Sequence, residues 1–385
     1  MMEVFGFIWN YGVMFLVVLT VLVFVHEFGH YWVARRNGVR VEVFSIGFGR
    51  ELFGFTDSAG TRWKFSAIPL GGYVKMFGDA NAASAPDAAV QSMSAEEKAV
   101  SFHHKRVWQR MAIVVAGPAA NFIFAIIALA FMFIVYGQPY TPPVIKEVMP
   151  DGAAAEAGML AGDRILSMDG RSTPRFEDIL SVVVMNPGRP VAAVVERPDP
   201  ANPDAGKQIE MSVTPRSVQL EDRFGNVHTI GRLGVLRGSD EYRRQTPLIA
   251  IWEATKGTVR LTEDTLTSVW QIVMGVRSTN ELGGPIRIAQ MTGQVAQTSF
   301  VTMIWFVAAL SVSLGLLNLF PIPMLDGGHL LYYAMEAIRG RPLNERVQEY
   351  GLRLGLALVL TLVVFVTWND LRSLRVVDFV KGVLS

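Results

Sequence analysis

The chain has 385 residues, 51% of them hydrophobic and only 18% charged, with a formal net charge of +1. A chain this apolar and this long is neither an ordinary soluble enzyme nor one small domain, and its near-neutral balance offers nucleic acid no electrostatic handhold. It has no cysteine, which excludes disulfide frameworks, thiolate zinc sites, iron–sulfur clusters and cysteine nucleophiles, so any zinc must be held by His, Asp or Glu.

The first predicted element is a membrane helix over about 7–34, uncharged from Tyr11 to Val25. No basic stretch precedes it and no small-x-small cleavage site follows, so it reads as a retained span rather than a signal peptide. Toward its end stands His26-Glu27-Phe28-Gly29-His30. This HExxH spacing puts two imidazoles one helical turn apart on one face, as a divalent zinc ion requires. Glu27 lies beside them, placed to take a proton from water at the metal. An acid inside a span costs about 2.5–3.5 kcal/mol on insertion scales, so a functional reason for it is expected.

Residues of about 39–77 alternate apolar and polar, with turn signals at Asp57-Ser58-Ala59-Gly60 and at Gly71-Gly72, the pattern of a β-hairpin. Phe44, Phe48, Phe53, Phe55, Trp63 and Phe65 make it apolar enough to dip into the membrane against the helices. An Ala/Ser/Asp/Glu-rich linker is predicted over about 80–99, followed by His103 and His104 as a solvated pair at the interface. The second span, about 111–136, carries Gly117-Pro118 near its start and Asn121 as its polar residue.

A soluble β-rich domain is expected over 144–235, with strands at Val191–Glu196 and Gln208–Val213, a polar hairpin loop over Pro198–Gly206, and His228 exposed in a Gly/Asn loop. Amphipathic helices lying along the membrane surface are predicted over 246–297 from Leu248, Ile251, Trp252, Val259 and Leu261. The third span, about 300–320, ends at Pro321 and Pro323, and the fourth covers about 352–368, each near the ~20 residues a bilayer needs. Trp32, Trp108, Trp305 and Trp368 fall near span ends, as an aromatic belt would place them.

Basic clusters next to the spans set the orientation: Arg35, Arg36 and Arg40; Lys105, Arg106 and Arg110; Arg339, Arg341, Arg346 and Arg353. In a four-span arrangement all three fall on one side, which the positive-inside rule makes cytoplasmic. The membrane parts are then 1–137 and 298–385, with 144–235 on the opposite, periplasmic side and HExxH toward the cytoplasmic end of its span.

Two histidines leave zinc short of a third protein ligand. The candidate is Asp326, in Asn318-Leu-Phe-Pro-Ile-Pro-Met-Leu-Asp-Gly-Gly-His329, on the same side as His26 and His30. The prolines break the helix and free backbone groups, which a membrane tolerates only where protein or a wet cavity surrounds them. A His₂Asp set leaves the fourth position open, as a catalytic zinc requires. Asn318 is an amide donor suited either to a substrate backbone or oxyanion or to helix–helix bonding. His329 is read as a hydrogen-bonding neighbour of the site, with Glu336 and Glu281 as weaker alternative acids.

HEFGH in the first span, Pro69-Leu-Gly-Gly-Tyr-Val-Lys75, Gly117-Pro118-Ala-Ala-Asn121, Leu282-Gly-Gly-Pro-Ile286 and Asn318-x-x-Pro-x-x-x-Leu-Asp326-Gly together resemble the site-2 protease family, in its bacterial RseP type. The resemblance implies an intramembrane zinc metalloprotease of the bacterial inner membrane. His26, His30 and Asp326 would be its Zn²⁺ ligands, Glu27 its catalytic residue and Asn318 a substrate-binding residue. The hairpin would be a re-entrant β-element that holds substrate as an added strand.

Ala153–Gly158 and Gly162–Gly170 resemble a PDZ domain of the protease-associated kind. The best-known enteric members carry two such domains in tandem, and this chain has one. The implied fold is an α-helical membrane protein with four transmembrane helices, a membrane-associated β-hairpin and one periplasmic PDZ-like β-rich domain. The implied partners are the lipid bilayer and single-span membrane proteins, such as an anti-sigma factor after a first periplasmic cut, together with remnant signal peptides, and no nucleic acid. The rival readings are a metal transporter, in which the same side chains form a transit site, and a catalytically inactive PDZ scaffold.

Overall fold

The apolar N-terminal run winds into a π-helical turn, Ile8–Val13, and then α1 (Met14–Arg36), closed by Arg35 and Arg36, cations that suit a helix C-terminus. A computed structural model describes residues 8–79, 92–199, 202–221, 227–239, 241–275 and 283–373. The chain divides into two units, 1–132 with 247–273 and 278–385, and 133–246 with 274–277. Among the described residues, four helices are long and apolar enough to cross a membrane: Tyr11–Arg36, Val107–Val135, Phe300–Leu319 and Arg346–Arg372.

In the first unit α1 is followed by β1 (Val41–Thr56) and β2 (Arg62–Met76), joined by a tight turn. Asp57 makes that turn. Its carboxylate accepts from the Ala59 and Thr61 amides at 2.9 Å, from Trp63 Nε1 at 3.0 Å and from the Tyr31 hydroxyl of α1 at 3.1 Å. Burial alone would raise the Asp57 pKa, but these donors hold it below the ordinary carboxylate value.

The chain reverses again by Gly71-Gly72, inside β2, whose two halves flank the same stretch of β1 in opposite directions, 62–65 running parallel to 43–46 and 72–75 antiparallel to it. Val43 is opposite both Arg62 and Lys75, and Phe44 opposite both Trp63 and Val74. The inner face of this sheet buries Val41, Phe44, Ile46, Val74 and Met76 against Ala34, Ile113 and Val114 of the helices. Each fully buried aliphatic or aromatic side chain there contributes about 1.5–3 kcal/mol. Its far end leaves Leu52, Phe53, Phe55, Ile68 and Leu70 exposed.

Most of the predicted linker, 80–91, lies outside the described residues. Its end is ordered as α2 (Ala95–Val100), held by a capping box in which Ser94 and Glu97 exchange side-chain and backbone bonds. The Ser-x-x-Glu signal for it is plain in the sequence. Next comes α3 (Val107–Val135), with Pro118 inside it.

The second unit holds β3 (Gln138–Tyr140), β4 (Ile145–Val148), α4 (Ala153–Glu156), β5 (Arg164–Met168), β6 (Arg171–Ser172), α5 (Phe176–Met185), β7 (Val191–Asp199), β8 (Asn202–Val213), β9 (Arg216–Glu221), β10 (Val227–Arg232), β11 (Val235–Arg237) and β12 (Glu241–Arg243). Strands β6-β5-β7-β8 form the main sheet, while β4 pairs β11, β9 pairs β10 and β3 pairs β12. The last pairing carries the unit beyond the expected 144–235. The hairpin expected at 198–206 is partly ladder, since Pro198 pairs with Gly206 and Asp199 with Asn202. Helix α5 went unpredicted although Phe176, Ile179, Val182 and Val183 mark its buried face.

Ile145, Met159, Ile165, Met168, Val195 and Val213 are almost wholly buried in this unit's core. A cavity of about 400 Å³ lies against α5 and β11, lined among others by Ile179, Val183, Leu233 and Leu236. Buried Asp163 ties the core together, accepting a two-pronged bond from Arg197 at 2.8 Å and a third bond from the Leu160 amide at 2.9 Å. Asp163→Ala is expected to destabilise this unit by about 2–4 kcal/mol, because it strips a partly buried guanidinium and a backbone amide of their acceptor. Proteolysis kinetics of the full chain within 144–235 read this directly; unchanged protection would refute it.

Back in the first unit, α6 (Pro247–Val273), α7 (Pro285–Ala296), α8 (Phe300–Leu319), α9 (Asp326–Arg339) and α10 (Glu345–Ser373) complete the chain. Helix α6 exposes Leu248, Ile251, Trp252, Val259 and Trp270, and α10 extends well beyond the expected 352–368. Buried Asp370 of α10 accepts from the amides of Gly284, Ile286 and Arg287, capping the start of α7.

Candidate metal centre

Val18, Leu22, His26, His30 and Ala34 recur every four residues along α1 and are all buried, whereas Val17, Val21, Phe28 and Trp32 on other faces are exposed. The period that makes the helix amphipathic inward therefore also turns both histidines toward the other helices. They can face inward closely because α1 and α3 meet at glycines. A Cβ on Gly29 would lie 2.2 Å from the Ala116 carbonyl oxygen, and one on Gly117 2.2 Å from His30 Nε2.

The acid arrives from the opposite end of the sequence. Helix α8 stops at Phe320, the chain turns through Pro321–Leu325, and Asp326 is the first residue of α9. Met324 takes a positive φ of 92° in this turn, and a Cβ on Gly327 would sit 2.2 Å from the Phe320 carbonyl oxygen. Asp-Gly is thus what lets the carboxylate swing back against α1.

The structure brings three of the predicted residues together: His26, His30 and Asp326 are the group of potential ligands found among the described residues. Their separations are 3.2 Å from His26 Nε2 to His30 Nε2, 3.2 Å from His26 Nε2 to Asp326 Oδ2, and 3.4 Å from His30 Nε2 to Asp326 Oδ2. Corners of a tetrahedron with bonds of ~2.0–2.1 Å lie about 3.3 Å apart, so the triangle has the size a zinc ion needs.

Chemistry agrees with size. His30 Nδ1 donates to the Ile113 carbonyl at 2.9 Å, so in the neutral ring the lone pair is on Nε2. Asp326 Oδ2 is buried with no hydrogen-bond donor. Lone pairs and a carboxylate oxygen facing one another repel unless a cation lies between them, and these residues therefore fit a metal.

Glu27 and Asn318 line the same cavity, of about 210 Å³, with Gly72, Tyr73 and Val74 of β2 and with His329 and Tyr333 of α9. The amide nitrogen of Asn318 donates to Leu314 in its own helix, 3.1 Å away, rather than to a neighbouring helix. His329 lines the cavity but does not join the ligand group. Glu336 is no alternative acid, since it pairs with Arg110 of α3 at 2.6 Å, and Glu281 lies outside the described residues.

Two further expectations need correction. His103 is not simply solvated: its Nε2 lies 2.9 Å from Asp79, a carboxylate buried at 2% exposure that also accepts from the Met76 amide. Asn121, read as the polar residue of its span and as part of a motif but given no role at the site, is fully buried, with its amide nitrogen 3.2 Å from His26 Nδ1. Its value as a signal lay in being the polar residue of an otherwise apolar span.

Residues 14–362 match the profile of Peptidase family M50. The chain is 46% identical to "Putative zinc metalloprotease Atu1380" of Agrobacterium fabrum, over 96% of this chain and 97% of that protein. It is 38% identical to "Metalloprotease MmpA" of Caulobacter vibrioides, again over 96% and 97%. Among solved structures, the PDZ domain of the SdrC-like protein of Listeria monocytogenes covers 26% of this chain and 88% of its own, at 18% identity and a TM-score of 0.19. At that score the likeness decides nothing about the fold.

Proposed function

The chain belongs to peptidase family M50, and from that premise we propose that it is an intramembrane zinc endopeptidase cutting single-span membrane proteins within their membrane segments. One observation carries the reading: the two histidines of a membrane-helix HExxH meet Asp326 in a triangle of zinc size, with Glu27 and Asn318 on the wall of the same cavity. His26, His30 and Asp326 would hold zinc, which would supply a Lewis acid able to polarise the scissile carbonyl and make water a nucleophile near neutral pH. Glu27 takes the proton from the attacking water and returns it to the amine released when the C–N bond breaks. Asn318 turns its amide from Leu314 to the substrate backbone or oxyanion.

A helical substrate must be unwound before its amides can react. The second half of β2, Tyr73–Met76, pairs on one side with β1 and lines the cavity on the way past Glu27. A substrate segment adding to it as a strand would bring an extended peptide bond to the metal. The exposed aromatic end of the sheet is then immersed in lipid, which accounts for a patch that water would disfavour.

Basic residues flanking the spans support a bacterial inner-membrane placement with the site toward the cytoplasm and the β-rich unit, a PDZ-like domain, in the periplasm. There it admits substrates already shortened by a first cut, such as anti-sigma factors, or remnant signal peptides. Incubating the purified chain in liposomes with a tagged single-span anti-sigma-type substrate tests the reading. Cleavage should stop on adding a zinc chelator and return with zinc; cleavage indifferent to chelation would overturn it.

A further inference from the structure

We infer that Asn121 is a positioning residue for the metal: its side-chain oxygen accepts the Nδ1 proton of His26 and so keeps the Nε2 lone pair of His26 aimed at the ion. The inference rests on the reading of His26, His30 and Asp326 as ligands. His26 presents Nε2 to His30 and Asp326, at 3.2 Å from each, and Nδ1 to the Asn121 amide. A histidine that binds metal through Nε2 carries its proton on Nδ1, where it needs an acceptor. His30 has one in the Ile113 carbonyl.

For His26, among the described residues, the polar side chain bonded to Nδ1 is Asn121. Its amide is oriented with nitrogen toward the ring and Oδ1 buried without a partner. That arrangement sets a donor against a donor once the ring binds metal. The oxygen and nitrogen of an amide have nearly the same shape, so the hydrogen-bond pattern decides which one faces the ring. Either orientation leaves one amide atom without a protein partner, but only the one with oxygen toward His26 is compatible with the ligand tautomer.

The placement is not accidental packing. The Ser311 hydroxyl of α8 donates to the Asn121 backbone carbonyl at 2.9 Å, and a Cβ on Gly315 would lie 3.2 Å from the Asn121 Cβ. Helix α8 thus clamps the turn of α3 that presents the amide, and couples the helix that delivers Asp326 to the one that orients His26.

The test uses the full chain in detergent and measures zinc affinity by competition with a chelator of known strength, independently of proteolysis. Asn121→Leu keeps the volume and removes the acceptor, so zinc should bind about 10–100-fold more weakly. Asn121→Asp keeps an acceptor in place and should stay within about threefold of wild type or bind more tightly. Wild-type affinity in Asn121→Leu, or an equal loss in Asn121→Asp, would overturn the inference. If Asn121→Leu does not fold, as judged by gel filtration, the Asn121→Asp affinity alone decides between the same two outcomes. His26→Ala separates this from the parent reading: zinc binding unchanged in that variant would overturn the metal centre itself.

Discussion

Glu27→Gln is expected to lower the cleavage rate by about 10²–10⁴-fold, the usual contribution of a positioned acid–base group, with the zinc content left at the wild-type level. The two effects separate because Glu27 is on the cavity wall but outside the His26, His30 and Asp326 group. Glutamine keeps the size and shape of the side chain, so Val74 and the strand beside the site have no reason to shift. What it cannot do is take a proton. Substrate cleavage and metal content, measured on the same preparations, check this. Equal cleavage by both proteins would remove Glu27 from the mechanism.

Gly117→Ala should be nearly as damaging while touching no reactive group. The added Cβ would lie 2.2 Å from His30 Nε2 and 2.5 Å from its Cε1, far inside van der Waals contact. Relief by separating α1 from α3 would pull His30 from the Ile113 carbonyl that sets its tautomer. Relief by rotating the ring would take Nε2 off the ligand triangle. A misplacement of about 1 Å costs roughly 10²-fold, and a loss of that order is expected in both zinc affinity and cleavage. Gly257→Ala is the control, since its new Cβ would approach nothing closer than Leu129 at 3.7 Å and alanine favours a helix. Wild-type zinc binding by Gly117→Ala would mean that the α1–α3 contact does not set the site.

Much of this protein could be read from the chain. The spans are legible because a bilayer demands long uncharged runs, whatever the tertiary contacts. HExxH is legible because its geometry is local: four residues along a helix is one turn. Asp326 was within reach because a carboxylate straight after a Pro-rich helix break in a membrane segment is costly unless it serves a site. The misreadings share one cause. The reversal at Gly71-Gly72 was legible, but not that β1 stands between the two arms it joins. His103 looks like an interface residue until Asp79 is found beside it, 24 positions earlier in sequence. Glu336 looks like a spare acid until Arg110, 226 positions away, proves to hold it.

By itself, then, the sequence determined what local periodicity and solvent preference can determine: four helices suited to a membrane, a β-rich unit between the second and third, and two histidines on one helical face. Tertiary structure decided the rest. It put Asp326 within 3.4 Å of both histidines, set Gly117 where no side chain can stand, and placed Asn121 behind His26. The physical reason is range. Helix propensity and hydropathy act between neighbours in the chain, whereas a metal site is specified by lone pairs converging from residues about 300 apart in number, and only packing brings those together.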